Sequence, residues 1–450
     1  MYCGIVWIFI LIIKIILNGT LYIIMPKQKR WAMITKITLK NFKNFVDTTV
    51  QIGPVTTLIG TNASGKSNIK DAFRILHGIS RGYTLAEAIG EKWGEGGIVQ
   101  WRGIRGGTRE MIFQDGKASS CSIEIKFEAA TVHKDSEKLT PTAFSGTYGI
   151  SIGFDKKKSN APVILAESFK ASGFEYGGGW IIKSLGENND GSVNTIKVHC
   201  AEKRTSRRHK IYSFRNDIPV ITQLLDNDEI DEYSKSYIRG LVYLLKQMRF
   251  LDVSPEAMRQ SSLPGQTKLS DRGENLSSVL QTICDNEKQK GILLEWLREL
   301  TPQDVIDLEF REDFQGKVIF YIVESGGRKI SAYSASEGTL RFLAIVAALL
   351  SLDSTSFYFF EEVENGIHPS RLYLLLRLIE QRSENSNIQV VLSSYSPLLL
   401  DFLTKSKRKY VSLVYRIPGR SHSSVIPVLK IPNAKKVLGK QAPWLIGLVF

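Results

Sequence analysis

From Ile34 to Lys40 apolar and polar residues largely alternate, the period of a strand with one buried face. Asn41-Phe42-Lys43-Asn44-Phe45 then reads as a turn, a second strand is predicted near Val46 to Ile52, and Val55–Ile59 is a short buried strand. The period changes after it: Ile69, Ala72, Phe73, Leu76 and Ile79 recur at three- and four-residue spacing, one face of a helix over Asn68–Ile79. Tyr83 to Asp115 is rich in glycine (Gly94, Gly96, Gly97, Gly103, Gly106, Gly107) and predicts a loop with little regular structure. Strand signals follow at Ser122–Ala129, Gly146–Phe154, Val163–Ala171 and Trp180–Leu185, separated by polar or glycine spacers, the pattern of antiparallel β with long connections. Ile218 to Arg249 reads as helical, as does Asn275 to Glu299, which Pro302 closes. Val305–Glu312 and Lys317–Glu324 are predicted strands around a Gln315-Gly316 turn, and no fixed-period repeat or long heptad run is present.

At 450 residues the chain exceeds one ordinary hydrophobic core. The expected divisions are a leader at 1–24, an N-terminal lobe at 25–114, a β-rich insert at 115–217, a helical region at 218–310 and a C-terminal lobe at 311–450. Apolar runs at Ile5–Ile13 and Ile15–Leu17 are broken by Lys14 and Asn18-Gly19-Thr20, short of the roughly 20 apolar residues a spanning helix needs. Either this is an anchor flanked by Lys27, Lys29 and Arg30, or it precedes a true start at Met25 or Met33. The second reading is preferred, because the strand at Ile34 already forms the domain's edge, and a cytoplasmic protein is expected. The 59 Lys+Arg against 45 Asp+Glu give a net charge of +14, which favours polyanionic partners. Cys3, Cys121, Cys200 and Cys284 have neither metal-ligand nor disulfide-framework spacing, as suits a reducing compartment.

The chemistry concentrates in two distant segments. Gly60-Thr61-Asn62-Ala63-Ser64-Gly65-Lys66-Ser67, with Asn68 behind it, follows a buried strand and opens a helix, the setting of a phosphate-cradling P-loop. There Lys66 neutralises the β/γ-phosphates of ATP and Ser67 places its hydroxyl on Mg²⁺. Far downstream, the apolar run Phe357-Tyr358-Phe359-Phe360 ends in Glu361-Glu362. A carboxylate at a strand end can hold Mg²⁺ and its neighbour can deprotonate a water, which makes Glu361 the metal-side residue and Glu362 the general base.

Glu361-Glu362-Val363-Glu364-Asn365-Gly366-Ile367-His368-Pro369 resembles the Walker B and D-loop of ABC-type ATPases related to SMC, RecF and OLD proteins, with Val363 where those commonly have proline. Ser336-Glu337-Gly338-Thr339 resembles their signature motif, which implies binding of a nucleotide held by a second subunit and hence a homodimer or higher homo-oligomer with composite sites. Val390 to Pro397 resembles their switch loop, with Tyr395 where a histidine is usual. A phenol donates a hydrogen bond but does not become a cation near neutral pH, so slow hydrolysis is expected. Gln100 is preferred to Gln114 as the Q-loop residue near Mg²⁺ and water, and His368 is read as packing rather than catalysis. Lys40–Lys43 also resembles the strand-turn that lies beside the adenine and ribose in this group, and Asp252–Pro255 and Asp271–Leu276 resemble stretches preceding its signature lobe.

The resemblance implies an α/β fold: an ABC-type P-loop ATPase head with a mixed or parallel sheet, flanking helices and an antiparallel β edge, and a β-rich plus helical insertion between Walker A and signature. Its implied role is that of the ATPase subunit of an anti-phage defence system of the Septu, PARIS or OLD-like kind. Such a subunit regulates a separate effector, a nuclease or toxin, because no TOPRIM or HNH constellation is present, and its trigger is double-stranded DNA or a phage protein. The alternatives are a RecF/SMC-like DNA-repair ATPase and a non-hydrolysing scaffold. The basic run Lys203–Lys210 is a solvated loop or a contact to DNA phosphates.

Overall fold

The computed structural model describes residues 14–17, 20–23, 32–135, 138–155, 160–172, 179–185, 195–201, 209–300, 305–351, 355–404 and 406–432. Two sheets dominate. The first runs in the spatial order Met248–Leu251, Phe357–Phe360, Gln389–Ser394, Val55–Ile59, Val411–Arg416, Ser423–Pro427. Its first five strands are parallel and the last is antiparallel. Its strands Phe357–Phe360, Gln389–Ser394 and Val55–Ile59 are buried at every position, and the first of them accordingly reads as an unbroken apolar run.

The second sheet is antiparallel throughout, in the order His209–Arg215, Thr195–Ala201, Gly179–Ser184, Ala161–Ser172, Lys138–Asp155, Ser120–Asp135, Met33–Phe42, Phe45–Gln51. The boundary expected at residue 115 runs through this sheet, because Ser120–Asp135 pairs directly with Met33–Phe42. One buried amide joins the two sheets. Gln389 Nε2 donates to the carbonyls of Ile34 (2.6 Å) and Gly53 (3.0 Å), and its Oε1 accepts from the Ile34 amide (3.0 Å). Helix Lys66–Ser80 fills the space between the sheets, with Phe73 against Phe357 and Phe359. A three-stranded sheet, Val305–Glu312, Val318–Glu324 and Lys329–Ser331, packs in a second core with helices Leu276–Cys284, Glu287–Leu300 and Glu337–Leu350.

The structure departs from the sequence reading at several points. The helix expected to run to Arg249 ends at Lys246, and Met248–Leu251 is the edge strand beside Phe357–Phe360. The stretch expected as loop holds helix Leu85–Ile89 and the hairpin Glu91–Trp93/Val99–Arg102. That helix starts at a capping box: Glu87 N donates to Thr84 Oγ1 (3.2 Å) and Thr84 N to Glu87 Oε2 (2.9 Å). Strands Thr195–Ala201 and His209–Arg215 were not foreseen. Pro302 and residues 203–208 of the basic run lie outside the described residues, and Lys210 pairs with Glu229 (2.7 Å). Lys14–Leu17 and Thr20–Ile23 pair as a hairpin, and among the described residues no helix is long and apolar enough to cross a membrane.

Glu167 is fully buried within the antiparallel sheet, accepting from Tyr148 Oη (3.1 Å) and from the amides of Val220 (2.7 Å) and Ile221 (3.0 Å). Burial pushes its carboxyl from 4.5 up to about 7, against three hydrogen bonds that favour the ionised form. The folded protein thus holds this proton more tightly than the unfolded chain. Its contribution is full below about pH 4.5 and falls away as pH rises toward 7, by about 3 kcal/mol at most. Denaturant unfolding at pH 5 and pH 8 is expected to show this decline, and Glu167→Gln, which cannot ionise, to lessen it. An undiminished decline in the variant would contradict the assignment.

Candidate active site

The P-loop strand Val55–Ile59 delivers Gly60 into the loop, and helix Lys66–Ser80 leaves it with Gly65 at the N-cap. Two glycines are required by geometry. A Cβ on Gly60 would collide with the Val414 carbonyl, and Gly65 combines a φ of 114° with Asn44 Nδ2 only 2.5 Å from where a Cβ would stand. Lys66 folds over the loop, donating to the carbonyls of Gly60 (2.6 Å) and Thr61 (2.9 Å). Burial lowers its pKa, and the charges of Glu362, Glu364 and Glu361 oppose that shift. Ser64 Oγ is buried and, among the described residues, has no hydrogen-bond partner, as suits a loop built around a polar ligand. Asn68, expected with the phosphate ligands, instead donates its amide to Asn44 Oδ1 (2.7 Å).

The two distant segments meet. Ser67 Oγ donates to Glu361 Oε1 at 2.6 Å across 294 residues of sequence. Lys70, one helical turn further on and so on the same face as Ser67, donates to Glu361 Oε2, and Arg105 reaches that oxygen at 3.3 Å. Burial pushes the Glu361 carboxyl up, but Lys70, Ser67 and Arg105 outweigh it and hold the pKa below the ordinary value. A hydroxyl and a carboxylate converging at the foot of a phosphate loop form a donor set that fits Mg²⁺, which takes one or two carboxylate oxygens and completes its shell with phosphate and water. Ser67 and Glu361 would hold it, and it would neutralise charge between the β- and γ-phosphates.

Glu362 has a φ of 47°, left-handed backbone uncommon for a residue with a Cβ. Asn365 Nδ2 donates to its Oε2 at 2.5 Å, and Tyr395 Oη donates to Asn365 Oδ1 at 3.0 Å. Tyr395 therefore faces the expected base through Asn365. Glu364 fixes this loop: its Oε1 accepts from Ser394 Oγ (2.7 Å), Tyr395 N (2.7 Å) and Ser396 N (3.2 Å). His368 caps helix Pro369–Asn385, accepting from Ser370 N.

Ser336 caps helix Glu337–Leu350, its hydroxyl accepting from Thr339 N (3.2 Å). Gly338 lies so close to Gly366 that a Cβ would strike the Gly366 carbonyl, which places the signature segment against its own chain's D-loop. Among the described residues, no hydrogen bond joins Ser336, Glu337, Gly338 or Thr339 to the Gly60–Ser67 loop. Asp252–Pro255 and Asp271–Leu276 meet through Asp252 N to Asp271 O (2.9 Å) and Ser254 N to Arg272 O (3.0 Å).

Gln100 is not brought to the site. It lies in strand Val99–Arg102 with its amide over Gly94, and among the described residues it makes no hydrogen bond to the P-loop or to Glu361-Glu362. Gln114 donates to the Arg109 carbonyl (3.2 Å). Arg105 is the side chain from this segment that reaches the carboxylate. Sequence reasoning assigned no role to Lys70, Asn365 or Glu364, although Glu364 and Asn365 stand in the D-loop segment and Lys70 lies three residues after Ser67.

Residues 137–401 match the family model described as "AAA domain, putative AbiEii toxin, Type IV TA system", and residues 33–240 match one described as "AAA ATPase domain". A protein from Helicobacter pylori (strain ATCC 700392 / 26695) described as "ATP/GTP phosphatase" is 21% identical over 392 residues, covering 84% of this chain and 89% of that protein. Among solved structures, an SMC head bound to the C-terminal winged-helix domain of ScpA is 13% identical, covering 87% of this chain and 97% of its own, with a TM-score of 0.45. The SMC head domain from Thermotoga maritima is 13% identical, covering 88% and 98%, with a TM-score of 0.36.

Proposed function

This chain belongs to the AAA-domain family of the AbiEii type, and from that premise we propose that it is an ATP-hydrolysing switch that closes on a second copy of itself and controls a separate effector. The contact that carries the reading is Ser67 Oγ to Glu361 Oε1, which joins the phosphate loop to the paired carboxylates. In this reading Lys66 and the loop amides hold the phosphates, Ser67 and Glu361 the metal, and Glu362 takes the proton of the attacking water. The position of Gly338 on the D-loop supports the second half of the site coming from a partner: Ser336–Thr339 cap their own helix and would offer its N-terminus to the other copy's γ-phosphate. Tyr395, uncharged and acting through Asn365, supports slow turnover.

The family's toxin-system description supports a defence role; in the proposed reading the effector is a separate protein, a nuclease or toxin. The positive net charge leaves DNA as a candidate trigger. A site completed by a partner makes hydrolysis second order in protein. Turnover per chain is therefore expected to rise with protein concentration until the dimer saturates; constant turnover per chain from nanomolar to micromolar protein, while the protein stays monomeric, would contradict the shared site.

A further inference from the structure

Strand Val411–Arg416 lies beside the P-loop strand on the side away from Gln389–Ser394 and Phe357–Phe360. Glu361, Glu362 and Tyr395 follow those last two strands, so the carboxylates and switch loop stand on one side of the phosphate loop and the turn after Arg416 stands on the other. On the proposed reading, the terminal phosphate faces the carboxylates, so the nucleoside end extends in the opposite direction. A cleft of about 610 Å³ opens there, walled by Thr61–Ser64 of the loop and by Arg416–Ser421. That volume lies within the range of about 300–1,000 Å³ usual for small-molecule sites.

We propose that the Arg416–Ser421 turn is the wall that receives the nucleoside half of the nucleotide, with Arg416 and Arg420 flanking the ribose and base. The turn is built rather than loose. Arg416 Nε donates to the Arg420 carbonyl (2.9 Å), which closes it. Its far strand is fastened to the phosphate loop through Asn44, which accepts from Ser423 N (2.8 Å) and donates to Ser423 Oγ (2.7 Å) and to the Ser64 carbonyl (3.3 Å). Both guanidinium-bearing residues are exposed, and among the described residues neither is in an ion pair. A guanidinium can stack on a planar base and donate hydrogen bonds to ribose oxygens, which suits the nucleoside. Ile417, also exposed, adds an apolar surface beside them.

This assignment rests on the nucleotide reading, and one titration separates the two. Binding of ATP and of inorganic tripolyphosphate, which has the phosphate chain without the nucleoside, is measured by calorimetry for the full chain, Arg420→Ala, and Arg416→Ala/Arg420→Ala. Arg420→Ala leaves the turn closed, because the closing bond uses the Arg420 carbonyl. The expected result is a loss of ATP affinity of about tenfold or more, with tripolyphosphate affinity changed by less than about threefold. Unchanged ATP affinity, or equal losses for both ligands, would overturn the nucleoside wall while leaving the P-loop reading in place. A wild-type chain that binds neither ligand would overturn the nucleotide reading and this assignment with it.

Discussion

Glu362→Gln is expected to lower ATP turnover by roughly 10²–10⁴-fold, the usual contribution of a positioned general base, while ATP affinity stays near that of the wild type. Glutamine keeps a side-chain oxygen for Asn365 Nδ2 and leaves the Glu361 cluster untouched. What it removes is the group that takes the proton. Glu362 is suited to that task by position: it follows the metal-side carboxylate, its amide donates to Ser393 Oγ (3.2 Å), and its unusual backbone is held by the surrounding D-loop. Single-turnover hydrolysis with saturating MgATP measures the effect directly. A rate within about threefold of wild type would place the base elsewhere.

Glu361→Ala is expected to act differently, on stability as well as turnover. The Glu361 and Lys70 side chains are only 6% and 9% exposed, so removing the carboxylate strands a buried ammonium. Breaking one partner of a buried pair costs about 3–5 kcal/mol, whereas replacing both by apolar groups is often near neutral. Urea unfolding should therefore show a large loss for Glu361→Ala, substantially recovered in Glu361→Ala/Lys70→Met, with turnover abolished in both for want of the metal ligand. Recovery of stability without recovery of turnover separates the two roles of this carboxylate. A single variant as stable as wild type would contradict the Lys70–Glu361 pair.

The central sheet could be read from the sequence because parallel strands buried on both faces leave short apolar runs, and the bounds expected for Val55–Ile59 match those observed. Met248–Leu251 escaped for the same reason in reverse. Four residues directly behind a helix fit either period, and only the pairing with Phe357–Phe360 decides. Leu85–Ile89 was hidden by the glycines around it, although Thr84 and Glu87 carry the capping-box spacing. In the site, the motifs marked Lys66, Ser67, Glu361 and Glu362, whose chemistry depends on local loop geometry. The groups that tune them come from tertiary contacts: Lys70 and Arg105 meet Glu361 across 291 and 256 residues, and only the helical spacing of Lys70 from Ser67 hints at either. Gln100 failed as a marker because its strand turns its amide onto Gly94, while the chain reaches the carboxylate five positions later, at Arg105.

The claim that two chains share each nucleotide is tested most directly by the mass of Glu362→Gln in solution with and without MgATP. With hydrolysis blocked, sedimentation should show the 50.6 kDa chain alone and a particle of twice that mass when ATP is added. A chain that remains at 50.6 kDa with ATP bound would contradict the shared site.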